Sequence, residues 1–279
     1  MNDDLATTLY IRPGRRRSQP DPHSVWLKQL SALPDPPPTF FPAQIEADAW
    51  PMLGNDKENC CTCAAAAHMI HAWSAAWKNP VLLDEAQVLA AYIIVSQGTE
   101  NGVEMIDVLR YWHKTGIGDR KAFQFIALDP HDPHELRIAM YLFGAAYIGL
   151  NLPDFAMPVN GVEVSDWALP ATGAVGDASP KIENGHCVAA IGFDADRLHV
   201  VSCGSIRTMT WDFYSAYNEE AYAVLAPEWY GPEKRTPFGH PLTELERDIA
   251  ILRHALKLEA AAASTAPNPQ SAAAKIMTA

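Results

Sequence analysis

Residues 54–63 read GNDKENCCTC and lead directly into an apolar segment, residues 64–77. An apolar segment without a polar face is typical of a buried central helix. Cys61 lies where that helix should begin, and Asn55 precedes it by six positions. A helix N-terminus stabilises negative charge, so a cysteine at this place is suited to form a thiolate.

A second stretch, NGHCVAAIGF at residues 184–193, places His186 at the start of an apolar strand 125 positions after Cys61. A thiolate nucleophile needs a base, and a tetrahedral oxyanion needs hydrogen-bond donors. The sequence supplies a histidine for the first task, and the backbone N–H of Cys61 and the side-chain amide of Asn55 for the second. Together these residues predict acyl-transfer chemistry, with hydrolysis of a peptide or amide bond as its expected form.

The chain has 279 residues, a formal net charge of -12 and a sequence pI of about 5.2. This acidic balance argues against a general nucleic-acid partner and against an anionic membrane surface. The local exception is the run RRR at residues 15–17. Three positive charges without neighbouring aromatic residues predict a solvated, flexible arm rather than a nucleic-acid site.

Cysteine usage and the N-terminus bear on location. The five cysteines form an odd set, and Cys60, Cys61 and Cys63 fall within four positions. A disulfide framework rarely has this pattern, whereas a reducing compartment would keep a catalytic thiol usable. The acidic start MNDD has no apolar signal region, and no apolar run reaches membrane-spanning length. We therefore expect a cytoplasmic protein, with a phage virion as an alternative location.

Composition divides the chain into three parts. Residues 1–48 are rich in proline and predict an extended arm with one short helix at residues 25–30. Residues 49–230 contain the two motifs and should form the folded, catalytic-type domain. Residues 231–279 predict a helix followed by a disordered tail. The helix has apolar residues at spacings of three and four, which predict packing on the domain or self-association: Leu242, Leu245, Ile249, Leu252 and Leu256.

The order of the predicted elements indicates an α+β fold, with helices first and antiparallel strands later. Hydrophobic periodicity predicts helices over residues 61–78, 84–97, 103–115, 134–143 and 211–217. It predicts strands over residues 123–128, 145–150, 186–193, 198–203, 206–211 and 221–226. The region 151–184, with its repeated glycine and proline, reads as a long irregular loop.

The two motifs resemble those of the papain-like cysteine proteases. In that family a glutamine lies six residues before the cysteine that opens the central helix, and a histidine preceded by glycine or aspartate opens a later strand. In this chain these places are occupied by Asn55, Cys61 and the pair Gly185-His186. The resemblance covers roughly residues 50–229 and is closest to a bacterial and phage branch. It implies a helical lobe followed by an antiparallel β lobe, with a peptide or protein substrate between them and no cofactor or metal.

The chain departs from the family pattern in three ways. Asn55 replaces the glutamine, so its amide reaches one methylene less far. The family also orients its histidine with an asparagine about sixteen residues later, followed closely by tryptophan. An ungapped count places Ser202 there, whereas matching the glycines places Val201 there, and Cys203 replaces the tryptophan. The imidazole could therefore be oriented by Ser202, work as a dyad with the thiol, or use Asp194 or Asp166.

Other interpretations remain open at this stage. Cys60 or Cys63 would be the nucleophile if the helix started one or two residues away from Cys61. The three cysteines with His68 contain soft ligands for zinc, although their spacing matches no standard site. Loss of the orienting asparagine also fits a protein that keeps the fold without catalysis and serves in binding or in virion assembly.

Overall fold

The computed structural model describes residues 12–18, 24–30, 33–42, 50–157, 166–231 and 233–241, and the single positions 243, 247, 250, 251 and 254. Helices dominate the described chain between residues 61 and 114, and strands dominate after residue 124. This is the α+β order that the sequence predicts. None of the described helices is long and apolar enough to cross a membrane.

The central helix α1, Cys61–Ala76, packs against the middle strand of the main sheet. Its first fourteen residues are buried, and a run of alanines, residues 64–67, lets the sheet approach closely. Farther along, Trp73 stacks on Trp112 with ring centroids 5.9 Å apart. An apolar helix with no polar face is stable only in such a position, so the predicted buried helix is confirmed.

Two further helices complete the helical lobe. Helix α2, Glu85–Val95, starts at a capping box in which the Asp84 carboxylate accepts from the backbone N–H of Gln87. Helix α3 covers Met105–Lys114, and the two residues before it form a short strand, Val103–Glu104. The sequence predicts one helix over 103–115. The prediction fails at 103–104 because these residues pair with an N-terminal strand, Arg15–Arg16.

We number the strands in chain order, with β1 as Arg15–Arg16 and β2 as Val103–Glu104. The main sheet has the order β3-β9-β4-β6-β7-β8-β5, antiparallel except for the β5–β8 pair. Its strands are β3 Gln124–Leu128, β4 Ala146–Asn151, β5 Asp166–Trp167, β6 Gly185–Phe193, β7 Arg197–Ser202, β8 Ser205–Thr210 and β9 Asn218–Leu225. Helices α4, Pro133–Phe143, and α5, Trp211–Tyr217, pack beside it. Strand β5 lies in the region that the sequence predicts to be irregular.

Two tight connections position the end of β7. The β6–β7 turn is closed by the Asp194 carboxylate, which accepts from the N–H groups of Asp196 and Arg197 at 2.8 Å. The β7–β8 turn uses Cys203 and Gly204, both with positive φ, as type I′ two-residue hairpins require. Antiparallel pairing then brings the last residue of β7, Ser202, beside the start of β6.

The described parts of the N-terminal 48 residues lie against the domain. Val25 and Phe40 are buried, and a 3-10 helix, Leu27–Gln29, falls inside the range where the sequence predicts a short helix. Beyond residue 241 the described positions are helical and exposed. The five residues of the predicted heptad seam all lie outside the described residues: Leu242, Leu245, Ile249, Leu252 and Leu256.

Candidate active site

Cys61 is the first residue of α1, so its sulfur lies at the N-terminal end of the helix. The chain reaches this point through a sharp turn in which Leu53 and Gly54 have positive φ values of 56° and 83°. Glycine tolerates this backbone conformation without strain. The turn folds the chain back so that Asn55 faces the head of the helix, where it is only 2% exposed.

The candidate residues line one small cavity of about 10 Å³ at the junction of α1, β6 and β7. Its walls include the side chains of Asn55, Cys61, His186, Ser202 and Cys203. A cavity of this size is close to the smallest that holds one water molecule. The fold therefore brings together residues that are up to 148 positions apart in the sequence, with almost no free space between them.

A chain of hydrogen bonds holds the imidazole of His186. Its Nε2 lies 3.0 Å from the hydroxyl of Ser202, and that hydroxyl donates to the sulfur of Cys203 at 3.6 Å. Because a serine hydroxyl carries one proton, this arrangement makes Nε2–H the donor to Ser202. The tautomer follows from the network and leaves a lone pair on Nδ1. Nδ1 is buried and has no hydrogen-bond partner.

Burial keeps both members of the candidate pair neutral. Desolvation lowers the pKa of His186 to about 3, with the charges of Arg207 and Arg15 acting in the same direction. Desolvation also raises the pKa of the Cys61 thiol, although backbone hydrogen bonds from Cys187 and Gly14 oppose it. The resting site therefore holds a thiol and an imidazole rather than an ion pair.

Comparison with known proteins rests on the fold, because no family model matches the sequence and no curated protein is detectably similar to it. Xylellain, a cysteine protease from Xylella fastidiosa, superimposes with a TM-score of 0.59, covering 80% of this chain and 99% of its own at 11% identity. The digestive procathepsin L 3 of Tenebrio molitor larvae gives 0.53, covering 78% and 77% at 8% identity. The fold is papain-like. At these identities the likeness extends to the fold alone.

Of the residues that the sequence offers as partners of the His186 imidazole, one lies within hydrogen-bond distance of it. Ser202 contacts the imidazole, whereas the two aspartates bind elsewhere. Asp194 closes the far end of the β6–β7 hairpin and pairs with His199 at 3.3 Å. Asp166, on the edge strand β5, accepts from the hydroxyl of Thr208 on β8. Among the residues weighed from the sequence, the ungapped alignment thus gives the one that touches His186.

The neighbouring cysteines and His68 have other partners. The thiol of Cys60 donates to the carbonyl oxygen of Leu53 at 3.6 Å, and burial raises the pKa of Cys63 to about 12. His68 lies 2.9 Å from the Pro51 carbonyl oxygen through Nε2, and burial lowers its pKa to about 4. Within the described part of the chain, no group of three or more His, Cys, Asp or Glu side chains is arranged to hold a metal ion.

The N-terminal segment 12–18 crosses the site, which sequence reasoning missed. The expectation of a solvated arm is wrong for Arg15, which is 4% exposed, although Arg16 and Arg17 are exposed. The backbone N–H of Gly14 is near enough to the Cys61 sulfur to lower the pKa of its thiol, and the Gly14 carbonyl accepts from the N–H of Val103 at 2.8 Å. No local pattern signals this, because the partners of Arg15 lie about 200 positions away.

Proposed function

We propose that this chain is a cysteine peptidase or related thiol amidohydrolase, with Cys61 as nucleophile and His186 as base. The observation that carries the proposal is the unpartnered Nδ1 of His186, which lines the same cavity as the Cys61 thiol while Nε2 is held by Ser202. A base with its second nitrogen fixed and its lone pair free is the arrangement that thiol activation needs.

The other two roles follow from position. The backbone N–H of Cys61 and the side-chain amide of Asn55 are the donors for the oxyanion. Asn55 Nδ2 lies 3.4 Å from the sulfur of Cys203, so one network, His186–Ser202–Cys203–Asn55, links the support of the base to the oxyanion donor. Cys203 takes the place of the family's tryptophan in this network.

A second candidate function is a papain-fold protein that binds a partner without catalysis. The observation that favours it is the closed site, in which the thiol is 1% exposed and segment 12–18 lies on it. A hydrolase must release this segment before a substrate can enter. The two proposals therefore differ in what happens once the cleft is open.

The substitution Gly14→Leu opens the cleft in the full-length chain. A Cβ at Gly14 would lie 2.0 Å from the carbonyl oxygen of Asn59, so the backbone there must shift, and we expect segment 12–18 to be displaced. Arg16→Leu is the matched control, since Arg16 is exposed on the same strand. Thermal melting of both variants establishes that the domain remains folded.

The test combines iodoacetamide labelling, mapped by mass spectrometry, with hydrolysis of a fluorogenic peptide library. The hydrolase proposal predicts that Gly14→Leu is labelled at Cys61 faster than at Cys60 or Cys63, and that it cleaves peptides. Both activities should fall when His186→Ala is added, and cleavage should stop with Cys61→Ala. Folded Gly14→Leu that labels slowly and equally at the three cysteines, and cleaves nothing, would support the binding protein instead.

A further inference from the structure

The side chain of Arg15 fills a pocket with negative charge on two sides. Its guanidinium donates to Glu219 at 2.7 Å and to Glu220 at 2.6 Å, and also to the amide oxygen of Asn151. The Arg15 side chain is 1% exposed, while the two glutamates keep 18% and 12% exposure. Two carboxylates and one amide oxygen match the fixed fork of donors that a guanidinium presents.

The pocket has room for a long side chain because one wall is a glycine. A Cβ at Gly149 on β4 would lie 2.7 Å from the Cδ of Arg15, 2.6 Å from the Sδ of Met105 and 2.9 Å from the Cγ of Glu220. The aliphatic stem of Arg15 thus runs between the helical lobe, represented by Met105, and strands β4 and β9. We call this site the acidic pocket and define it by Gly149, Asn151, Glu219 and Glu220.

The backbone that brings Arg15 to the acidic pocket is held by features that an extended peptide with glycine at the position of Gly14 could use. The Gly14 carbonyl accepts from the N–H of Val103. The missing side chains of Gly102 and Gly185 leave room for the chain, since a Cβ there would lie 2.1 Å from the Gly14 oxygen and 2.2 Å from the Arg15 oxygen, respectively. These contacts use main-chain atoms of the occupying segment, but the position of Gly14 accepts only glycine, since a Cβ there would lie 2.0 Å from the Asn59 carbonyl oxygen.

The acidic pocket is also adjacent to the candidate nucleophile. The backbone N–H of Gly14 is near enough to the Cys61 sulfur to lower the pKa of its thiol, and the next residue, Arg15, places its side chain in the pocket. A substrate peptide bound along the same path would place a side chain in the acidic pocket. That side chain would lie one or two residues from the peptide bond that the Cys61 sulfur attacks. The glutamates also border an open cavity of about 450 Å³, so the pocket can be reached from solvent when segment 12–18 leaves.

We infer that the acidic pocket is a specificity subsite for an arginyl side chain of a peptide substrate, and that Arg15 occupies it as the chain's own substitute. This inference rests on the proposed function, because it names the substrate class of that site. A compact ammonium can pair with the carboxylates but lacks the planar fork, so arginine is preferred to lysine.

The test measures peptide binding, which does not require catalysis. The protein is full-length Gly14→Leu, with full-length Arg15→Ala as a second way to free the pocket. The probes are two fluorescein-labelled peptides of the sequence RPGRRRS, residues 12–18, with citrulline in place of either Arg15 or Arg16. Citrulline keeps the shape of arginine without its charge, so the two probes have equal net charge and differ only in which position is neutral.

A single charge-assisted pair that is lost should weaken binding by about tenfold or more, so we expect the peptide with citrulline at position 15 to bind about tenfold more weakly than its partner. Glu220→Gln or Glu219→Gln in the protein should shrink that difference. Equal affinities of the two peptides, or no binding of either to a folded protein, would overturn the subsite, since Arg15 would then only anchor the segment. Loss of the hydrolase proposal is a separate result, read from His186-dependent labelling of Cys61.

Discussion

Replacement of Arg15 by alanine should speed the alkylation of Cys61 in the full-length chain. Because the thiol is 1% exposed, it reacts only in molecules where segment 12–18 has moved away. Breaking a buried ion pair typically costs 3–5 kcal/mol, and we take about 2 kcal/mol here because both glutamates keep some exposure. If displacement of segment 12–18 costs about 2 kcal/mol less, Cys61 should be alkylated about thirtyfold faster.

Arg17→Ala is the matched control for this measurement. Arg17 also pairs with Glu219, at 2.8 Å, but its own side chain is 63% exposed. Exposed ion pairs contribute about 0–1 kcal/mol, so the rate should change by no more than about fivefold. The assay is alkylation by iodoacetamide under native conditions, with Cys60 and Cys63 as internal references. Equal rates for Arg15→Ala and Arg17→Ala would refute the view that the Arg15 contacts keep the thiol covered.

Three further outcomes follow from the site, with kinetics measured on chains that also carry Gly14→Leu. Asn55→Ala should lower kcat by about 100-fold or more with little change in KM, because an oxyanion donor acts in the transition state; an unchanged kcat would exclude that role. Ser202→Ala should lower kcat by about tenfold through loss of one orienting hydrogen bond, and an effect confined to KM would contradict it. Burial lowers the pKa of His186 to about 3 and of His68 to about 4, so between these values and pH 6.5 the unfolded chain binds more protons than the folded one. The free energy of unfolding of the unaltered chain should therefore fall with falling pH, by up to about 1.4 kcal/mol per unit for each histidine, and His68→Gln should reduce that slope in urea titrations.

The elements of the domain could be predicted largely because their signals are local. The apolar run at 64–77 permits only a buried helix, and Asp84 before Gln87 marks a capping box. The apolar run after His186 and the short connection 194–196 give the central hairpin. Strand β5 escaped prediction because two residues that pair only with β8 leave no periodic pattern.

The candidate site could be predicted where sequence spacing carries geometry. Asn55 lies six positions before the start of α1, and this spacing places it at the N-terminal end of the helix. Ser202 is found by counting from His186 without gaps, because β6 and β7 form one hairpin that brings the two residues together. The place of Arg15 could not be predicted in this way. Its carboxylate partners lie about 200 positions away on β9, and a run of three arginines looks the same whether one or none of them is buried.

The most direct test of the account is to trap the acyl intermediate on full-length Gly14→Leu. The chain is mixed with a peptidyl p-nitrophenyl ester, quenched in acid at short times and digested for mass spectrometry. We predict one acyl group on Cys61 that forms and is then hydrolysed, and that persists longer in His186→Ala because deacylation needs the base. An acyl group that appears equally on Cys60 or Cys63, or ester hydrolysis that continues unchanged in Cys61→Ala, would contradict the assignment of Cys61 and His186 as the reacting pair.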